Sequence, residues 1–421
     1  MGSARGYGFR ADRVDEIRRI DYNRMRRKNR HGKEGHARLI YLDYAADTPP
    51  CEAALNAFTQ TALRYGANPN AEHAAGRAAR QRLAEATAGV ATLLGVEPDE
   101  VVFTSGATEA NNLAILGLAH AYRSRGQHVI VSPMEHASVT GPMMALKADG
   151  FTVELMRMLP DGRVDMEHFK GLLRRDTVLV SLCAADSEVG VLQPLQAVRD
   201  AMRVYPDCRL HVDATQTVGK LPIDLTCADL LTCSPHKFYG LTGSGVLAVR
   251  GGLRLTPLWH GGAGATPYRS GTPALALAAA TEAALREALQ ALPERLAAVR
   301  ALNRTLRAEL AALPFATLNS PEDASPYVIN FSVTGFKARE LLPMLSEQGV
   351  CVSSKSACCA PAAPSHPVLA MTGDRKRAMN TVRVSLSHLT TAEEIAETIR
   401  ILRDCARRLE ESRGYMPADR A

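Results

Sequence analysis

Between residues 101 and 250 short apolar runs alternate with amphipathic segments, and no other feature of the chain constrains its fold so tightly. Val101–Thr104, His128–Ser132, Phe151–Met156, Val178–Leu182, Arg209–Asp213, Leu230–Cys233 and Gly245–Arg250 read as strands. The stretches 108–123, 138–148, 166–173 and 196–204 carry apolar residues at three- and four-residue spacing and read as helices. Strands that are apolar on both faces are buried on both faces, and helices alternating with them supply the cover. The expected class is therefore α/β, with a mostly parallel central sheet. Sites in such sheets lie at the carboxyl ends of the strands, so polar motifs that directly follow a strand matter most.

Four such motifs occur. Thr104-Ser-Gly-Ala-Thr-Glu-Ala-Asn-Asn112 closes a strand on a glycine turn and starts a helix near Thr108; free N–H groups and the dipole at that helix end suit a phosphate. Met134-Glu-His-Ala-Ser138 places His136 after the next strand, where it is either structural or able to face and protonate a ligand. In His211-Val-Asp-Ala-Thr-Gln216, Asp213 ends an apolar strand. A carboxylate there needs a partner, which a protonated pyridine nitrogen or a capped loop would supply. Ser234-Pro-His-Lys-Phe-Tyr-Gly240 sets Lys237 between an apolar strand and a Gly-rich turn, a sheltered place where a lysine can lose its proton and form a Schiff base. A phosphate anchor, a ring-facing histidine, a carboxylate and a Schiff-base lysine are together what a pyridoxal 5′-phosphate (PLP) site needs.

The chain resembles the NifS/IscS-type cysteine desulfurases, class V aminotransferases within the fold-type I PLP enzymes. The resemblance runs from about Ile40 to Ile401 and rests on Tyr41-Leu-Asp-Tyr-Ala-Ala, Asn68-Pro-Asn with His73 and Gly76-Arg77, Phe103-Thr-Ser-Gly-Ala-Thr-Glu, Glu135-His136, His211-Val-Asp-Ala-Thr-Gln, His236-Lys237, Arg269-Ser-Gly-Thr272, Ser353-Ser-Lys-Ser-Ala-Cys358 and Val382-Arg-Val-Ser-Leu386. It implies that Lys237 carries PLP, that His136 stacks on the ring and moves protons, and that Asp213 pairs with the ring nitrogen. It implies that Gln216 bonds the phenolic oxygen, and that Ala107, Thr108, Ser234 and His236 surround the phosphate. Thr272 would reach the phosphate of the other subunit of a homodimer. Arg383 would grip the substrate carboxylate, and Cys358 would take the sulfur of L-cysteine as a persulfide and pass it to an acceptor. No metal site is expected.

The chain also departs from that pattern. Asp186-Ser-Glu-Val-Gly190 stands where the family has two Asn, so Asp186, expected against cofactor and substrate, is an acid. Asp47 replaces a threonine where substrate recognition is expected, Lys355 a glycine, and His388 an arginine. The two acids leave open a PLP lyase acting on a modified amino acid without sulfur transfer. A weakly active sulfur-relay scaffold subunit is a third reading. Lys355 is expected to face solvent, the alternative being that it lowers the pKa of Cys358. Pro361, Pro364, Pro367 and Gly373 are expected to punctuate one long swinging loop. Cys359 either resolves the persulfide or is a passive neighbour.

The 421 residues allow two domains. The expected division is a basic extension over 1–38, the start of the small-domain segment at 39–52, a large PLP-binding domain over 53–275 and a smaller C-terminal domain over 276–421 carrying the Cys358 loop. Residues 1–38 hold 12 Lys/Arg and five acids, leaving 38 basic and 39 acidic side chains for the rest. That near-neutral body argues against a nucleic-acid enzyme. The cluster Arg24-Met-Arg-Arg-Lys-Asn-Arg30 suits a nucleic acid, an acidic partner or an anionic surface, with a solvated tail the simpler reading. The five acids count against a transit peptide. No apolar run approaches a membrane span and the start lacks a secretory pattern, so a cytoplasmic protein is expected. The nine cysteines are scattered without metal spacing, and most are expected to be buried free thiols.

Overall fold

The computed structural model describes residues 39–262, 264–355 and 363–412. The chain opens with β1 (Ile40–Tyr41) and the helices Glu52–Arg64 and Ala74–Leu94. Seven strands follow: β2 (Val101–Thr104), β3 (His128–Val131), β4 (Thr152–Leu155), β5 (Thr177–Cys183), β6 (Arg209–Asp213), β7 (Leu230–Cys233) and β8 (Gly245–Val249). They form one sheet in the order β2-β8-β7-β6-β5-β3-β4. β8 runs antiparallel to both its neighbours and the other pairs are parallel. The period-2 alternation of a strand shows in β3, where Val129 and Val131 enter one core layer and Ile130 the opposite one. This is the mostly parallel central sheet expected from the sequence.

A second core gathers on a three-stranded antiparallel sheet of β9 (Ala316–Leu318), β10 (Val328–Val333) and β12 (Thr381–Ser385), with β10 in the middle. The helices Ala338–Glu347 and Ala392–Glu411 contribute Leu341, Leu345, Ile399 and Leu402 to it. The start of the chain joins this core. β1 pairs in parallel with β11 (Val350–Cys351), and Ile40 and Leu42 are buried there. Two long helices, Leu275–Gln290 and Leu292–Ala311, bridge from the large sheet, breaking at Ala291 with Pro293 in the first turn of the second helix.

The elements differ from the sequence expectation in three places. The helix expected over 108–123 starts at Ala107 and runs through a π turn, Leu113–Gly117, before Leu118–Ala121. The short strand β9 carries too few residues to show a period. The residues around Pro367 and Gly373, expected to extend a loop, instead form the helices His366–Thr372 and Arg375–Met379. Pro367 fits a first turn, where its missing N–H is no loss, and Gly373 is the left-handed C-cap at φ 65°. Lys355 is likewise buried rather than solvent-facing, its ammonium donating to the Ala363 carbonyl.

Ser365 starts the helix His366–Thr372. Its Oγ accepts from Val368 N at 3.3 Å and donates to the buried Glu188 Oε2 at 2.6 Å. Ser365→Ala removes a cap and one donor to a buried carboxylate, and is expected to cost about 1–3 kcal/mol in urea unfolding. A loss below measurement error would mean that neither bond contributes.

Candidate functional site

The carboxyl ends of β2, β5, β6 and β7 open on one cleft of ≈ 300 Å³. One end is built from the turn Ser105-Gly106-Ala107-Thr108, where the helix starting at Ala107 offers its unpaired first N–H groups. Ser234 and Ser244 stand across from it, the Ser234 hydroxyl donating to the Ser244 carbonyl at 3.1 Å. Close approach requires Gly245: a Cβ there would fall 2.5 Å from Gly106 C and 2.6 Å from Thr104 Oγ1. Glu109 braces the turn by accepting from Ser105 N at 2.7 Å and pairing with Arg269 Nε at 3.1 Å. An anion is the ligand such a cradle favours.

Asp213, at the end of β6, is 6% exposed. Thr215 N donates to its Oδ1 at 3.0 Å, and Asn111 Nδ2 to its Oδ2 at 2.9 Å. Asn111 Nδ2 also donates to Ser138 Oγ at 2.8 Å, and that hydroxyl lies 2.8 Å from His136 Nδ1. Ser138 N donates to the same nitrogen at 3.1 Å, so Nδ1 is an acceptor and the ring carries its proton on Nε2. Burial, against the opposing charge of Asp213, lowers the His136 pKa and keeps the ring neutral. No local pattern singles out Asn111 or Ser138, yet Asn111 follows Thr108 by three residues on one helix, and Ser138 follows His136 by two.

Lys237 Nζ donates to the carbonyls of Ala45 at 2.9 Å and Ala46 at 2.5 Å. Gln216 Nε2 shares the Ala45 carbonyl at 3.0 Å. Arg383, on β12, is almost fully buried. Its guanidinium pairs with Asp43 Oδ1 at 2.7 Å and donates to the Ser187 carbonyl at 2.9 Å, while its Nε has no protein partner. The cleft thus holds an amine near one end, a guanidinium with a spare donor, and a buried carboxylate whose back is already bonded. These residues fit PLP: the helix turn for its phosphate, Asp213 for a ring nitrogen, Lys237 for its carbonyl carbon.

The remaining expected residues fall in different places. His236 lines the cleft and bonds Asp47 Oδ1 through Nδ1 at 3.0 Å. Asp47 is half-exposed and turned to His236 and its own loop, accepting from Thr48 N at 3.0 Å. Asp186 borders the cleft but commits both oxygens to backbone: Glu188 N at 2.9 Å, Val189 N at 2.7 Å and Val191 N at 2.8 Å. Burial raises its pKa to about 6 against those bonds. Thr272 is exposed and lies apart, beside Asn68 and Pro69. Cys358, Cys359 and the extension over 1–38 lie outside the described residues. Glu135, which enters the sequence motifs only as the neighbour of His136, is buried behind the cleft. Burial first, then the charge of Asp213, pushes its carboxyl up to about 8, and it accepts from Cys183 N at 2.7 Å. His388 packs edge-on against Tyr239, ring centres 4.7 Å apart, away from the cleft lining.

Residues 40–397 match the family model described as aminotransferase class-V. The chain is 36% identical over 373 residues to a protein named cysteine desulfurase IscS from Dictyoglomus turgidum, covering 87% of this chain and 94% of that one. A solved structure titled NifS-like protein superposes with a TM-score of 0.82 at 30% identity, covering 88% of this chain and 99% of that chain. Another, titled SspA in complex with cysteine, gives 0.73 at 30% identity, with 83% and 99% covered.

The fold keeps a proton on Glu135 that the unfolded chain loses. Its contribution to stability is full below about 4.5, falls as pH rises, and is gone above about 8. Glu135→Gln stays neutral throughout. Urea unfolding from pH 5 to 8 is therefore expected to show wild type losing stability relative to this variant, by at most about 1.4 kcal/mol per pH unit. Parallel curves would mean that Glu135 is ionised in the folded protein.

Proposed function

Since the chain belongs to the class-V aminotransferase family, we propose that it is a PLP-dependent cysteine desulfurase that converts L-cysteine to L-alanine and takes the sulfur as a persulfide on Cys358. The observation that carries the reading is the cleft itself: the buried carboxylate of Asp213, the neutral ring of His136 and the amine of Lys237 line one cavity with an anion cradle at its end. When bound, PLP supplies the electron sink that stabilises charge at the substrate Cα.

The chain's own residues supply the rest. Arg383 offers its unpaired Nε to the substrate carboxylate, with Asp43 fixing the guanidinium plane. Lys237, which donates to two carbonyls here, would hold the cofactor; once the substrate's amino group has taken its place, its freed amine would take the Cα proton. His136 has its acceptor nitrogen tied to Ser138 and keeps Nε2–H for proton movement. The Cys358 thiolate attacks the substrate sulfur, the C–S bond breaks, its electron pair returns to the carbon skeleton, and protonation yields alanine. One thiol and one cysteine give one persulfide and one alanine.

Thr272, exposed and away from the cleft, is consistent with service to a second copy of the chain in a homodimer. The seven described cysteines are free thiols, which supports a reducing, cytoplasmic location, and no described helix is long and apolar enough to cross a membrane. A sulfur-acceptor protein or small molecule completes the reaction, and the basic extension is available to recruit it. The lyase alternative drew on Asp47 and Asp186. With the first paired to His236 and the second folded into backbone, neither carboxylate supports a changed substrate. The scaffold reading is not favoured either, since Lys237, Asp213 and His136 all line the one cleft.

Purified protein loaded with PLP and given L-cysteine and a thiol reductant is expected to release equimolar alanine and sulfide. Cys358→Ala is expected to keep the yellow colour and lose at least about a hundred-fold in rate, as removing a nucleophile does. Lys237→Ala is expected to lose both colour and turnover. A yellow wild type that makes no alanine from cysteine would overturn the substrate.

A further inference from the structure

Lys220 is a buried charge that the chemistry above leaves unused. It follows Gln216 by four residues and is 5% exposed. Burying an ammonium is costly unless pairing and hydrogen bonds offset it. Its Nζ donates to Gln216 Oε1 at 3.1 Å and lies 5.9 Å from the centre of the Tyr327 ring. Tyr44 and Tyr239 complete the wall around it. Among the described residues no carboxylate pairs with it.

The contacts continue from Lys220 to the reacting amine. Gln216 Nε2 donates to the Ala45 carbonyl at 3.0 Å, and the same oxygen accepts from Lys237 Nζ at 2.9 Å. An amide has one accepting end and one donating end. At Gln216 the ammonium fills the first and the carbonyl fills the second. A flip would set NH2 against Nζ and oxygen against oxygen, so both neighbours select one orientation.

We propose that Lys220 is a positioning residue, which by donating to Gln216 Oε1 fixes the Gln216 amide beside the cofactor and, through the shared Ala45 carbonyl, the place from which Lys237 acts. The proposal rests on the PLP reading given above. The charged and titratable groups that face this region are Lys237, Arg383, His236, Tyr44, Tyr239 and Tyr327. Burial, then the charges of Lys237 and Arg383, lowers the Lys220 pKa to about 7. A neutral amine still donates an N–H, so the bond to Gln216 survives its titration.

The test is a double-mutant cycle on the PLP-loaded enzyme with Lys220→Met, Gln216→Ala and the pair, read as kcat/KM for cysteine and as the pH midpoint of the cofactor's visible band. Lys220→Met is expected to lower kcat/KM roughly ten-fold and move the midpoint by about half a unit or more. Added to Gln216→Ala it is expected to change neither, because its effect passes through that amide. Lys220→Gln, which keeps an N–H donor, is expected to lie nearer wild type. Additive losses, or an unmoved midpoint in Lys220→Met, would overturn the proposal. If Lys220→Met does not fold, Lys220→Ser takes its place in the cycle. A wild type with no visible band, or no alanine from cysteine, instead sinks the PLP desulfurase reading.

Discussion

The guanidinium of Arg383 is where the two cores of this protein meet. It projects from β12 of the smaller core, ion-pairs with Asp43 at the end of the first strand, and donates to the Ser187 carbonyl in the loop after β5 of the large sheet. Ser353 pairs with its backbone and sends its hydroxyl to the other Asp43 oxygen at 2.7 Å. A cation so enclosed is stable only with its partners in place, and losing one typically costs about 3–5 kcal/mol. The beginning, middle and end of the chain are thus tied at the mouth of the cleft. The same group keeps one buried donor, Nε, without a protein partner, so the joint that fixes the architecture also borders the cleft.

The large sheet was legible because its strands are apolar on both faces and its helices keep their period. The grouping of Asp213, Lys237 and His136 in one cleft was legible because each lies at, or within a few residues after, a strand's carboxyl end. What escaped the sequence shares a different physical character. Asp43 and Arg383 are 340 positions apart, and no local pattern announces such a pair. Behind the cleft, Asn111 and Lys220 bond other side chains and Glu135 accepts a backbone N–H, and a polar residue inside an apolar run does not reveal which way it points. Pro367 and Gly373 misled for a simpler reason: proline suits a helix start and glycine a helix end, so both can bound a short helix as readily as interrupt it.

Asp186, one of the two acids that set this chain apart from its family pattern, is accounted for by counting donors. Val189 and Glu188 give their N–H groups to one oxygen of Asp186 and Val191 gives its own to the other. An asparagine has a single accepting atom, and its NH2 would meet the Val191 N–H donor to donor. A carboxylate fits this turn at both ends, and the three bonds offset part of the burial that raises its pKa to about 6. Near neutral pH the group is mostly ionised, with its charge spread over backbone dipoles rather than aimed into the cleft. Repulsion of the substrate carboxylate is correspondingly reduced, while Arg383, bonded to the carbonyl of Ser187 next in the chain, stands beside the turn as the compensating cation. The substitution changes how the loop is held and leaves the guanidinium of Arg383 where Asp43 and Ser187 fix it.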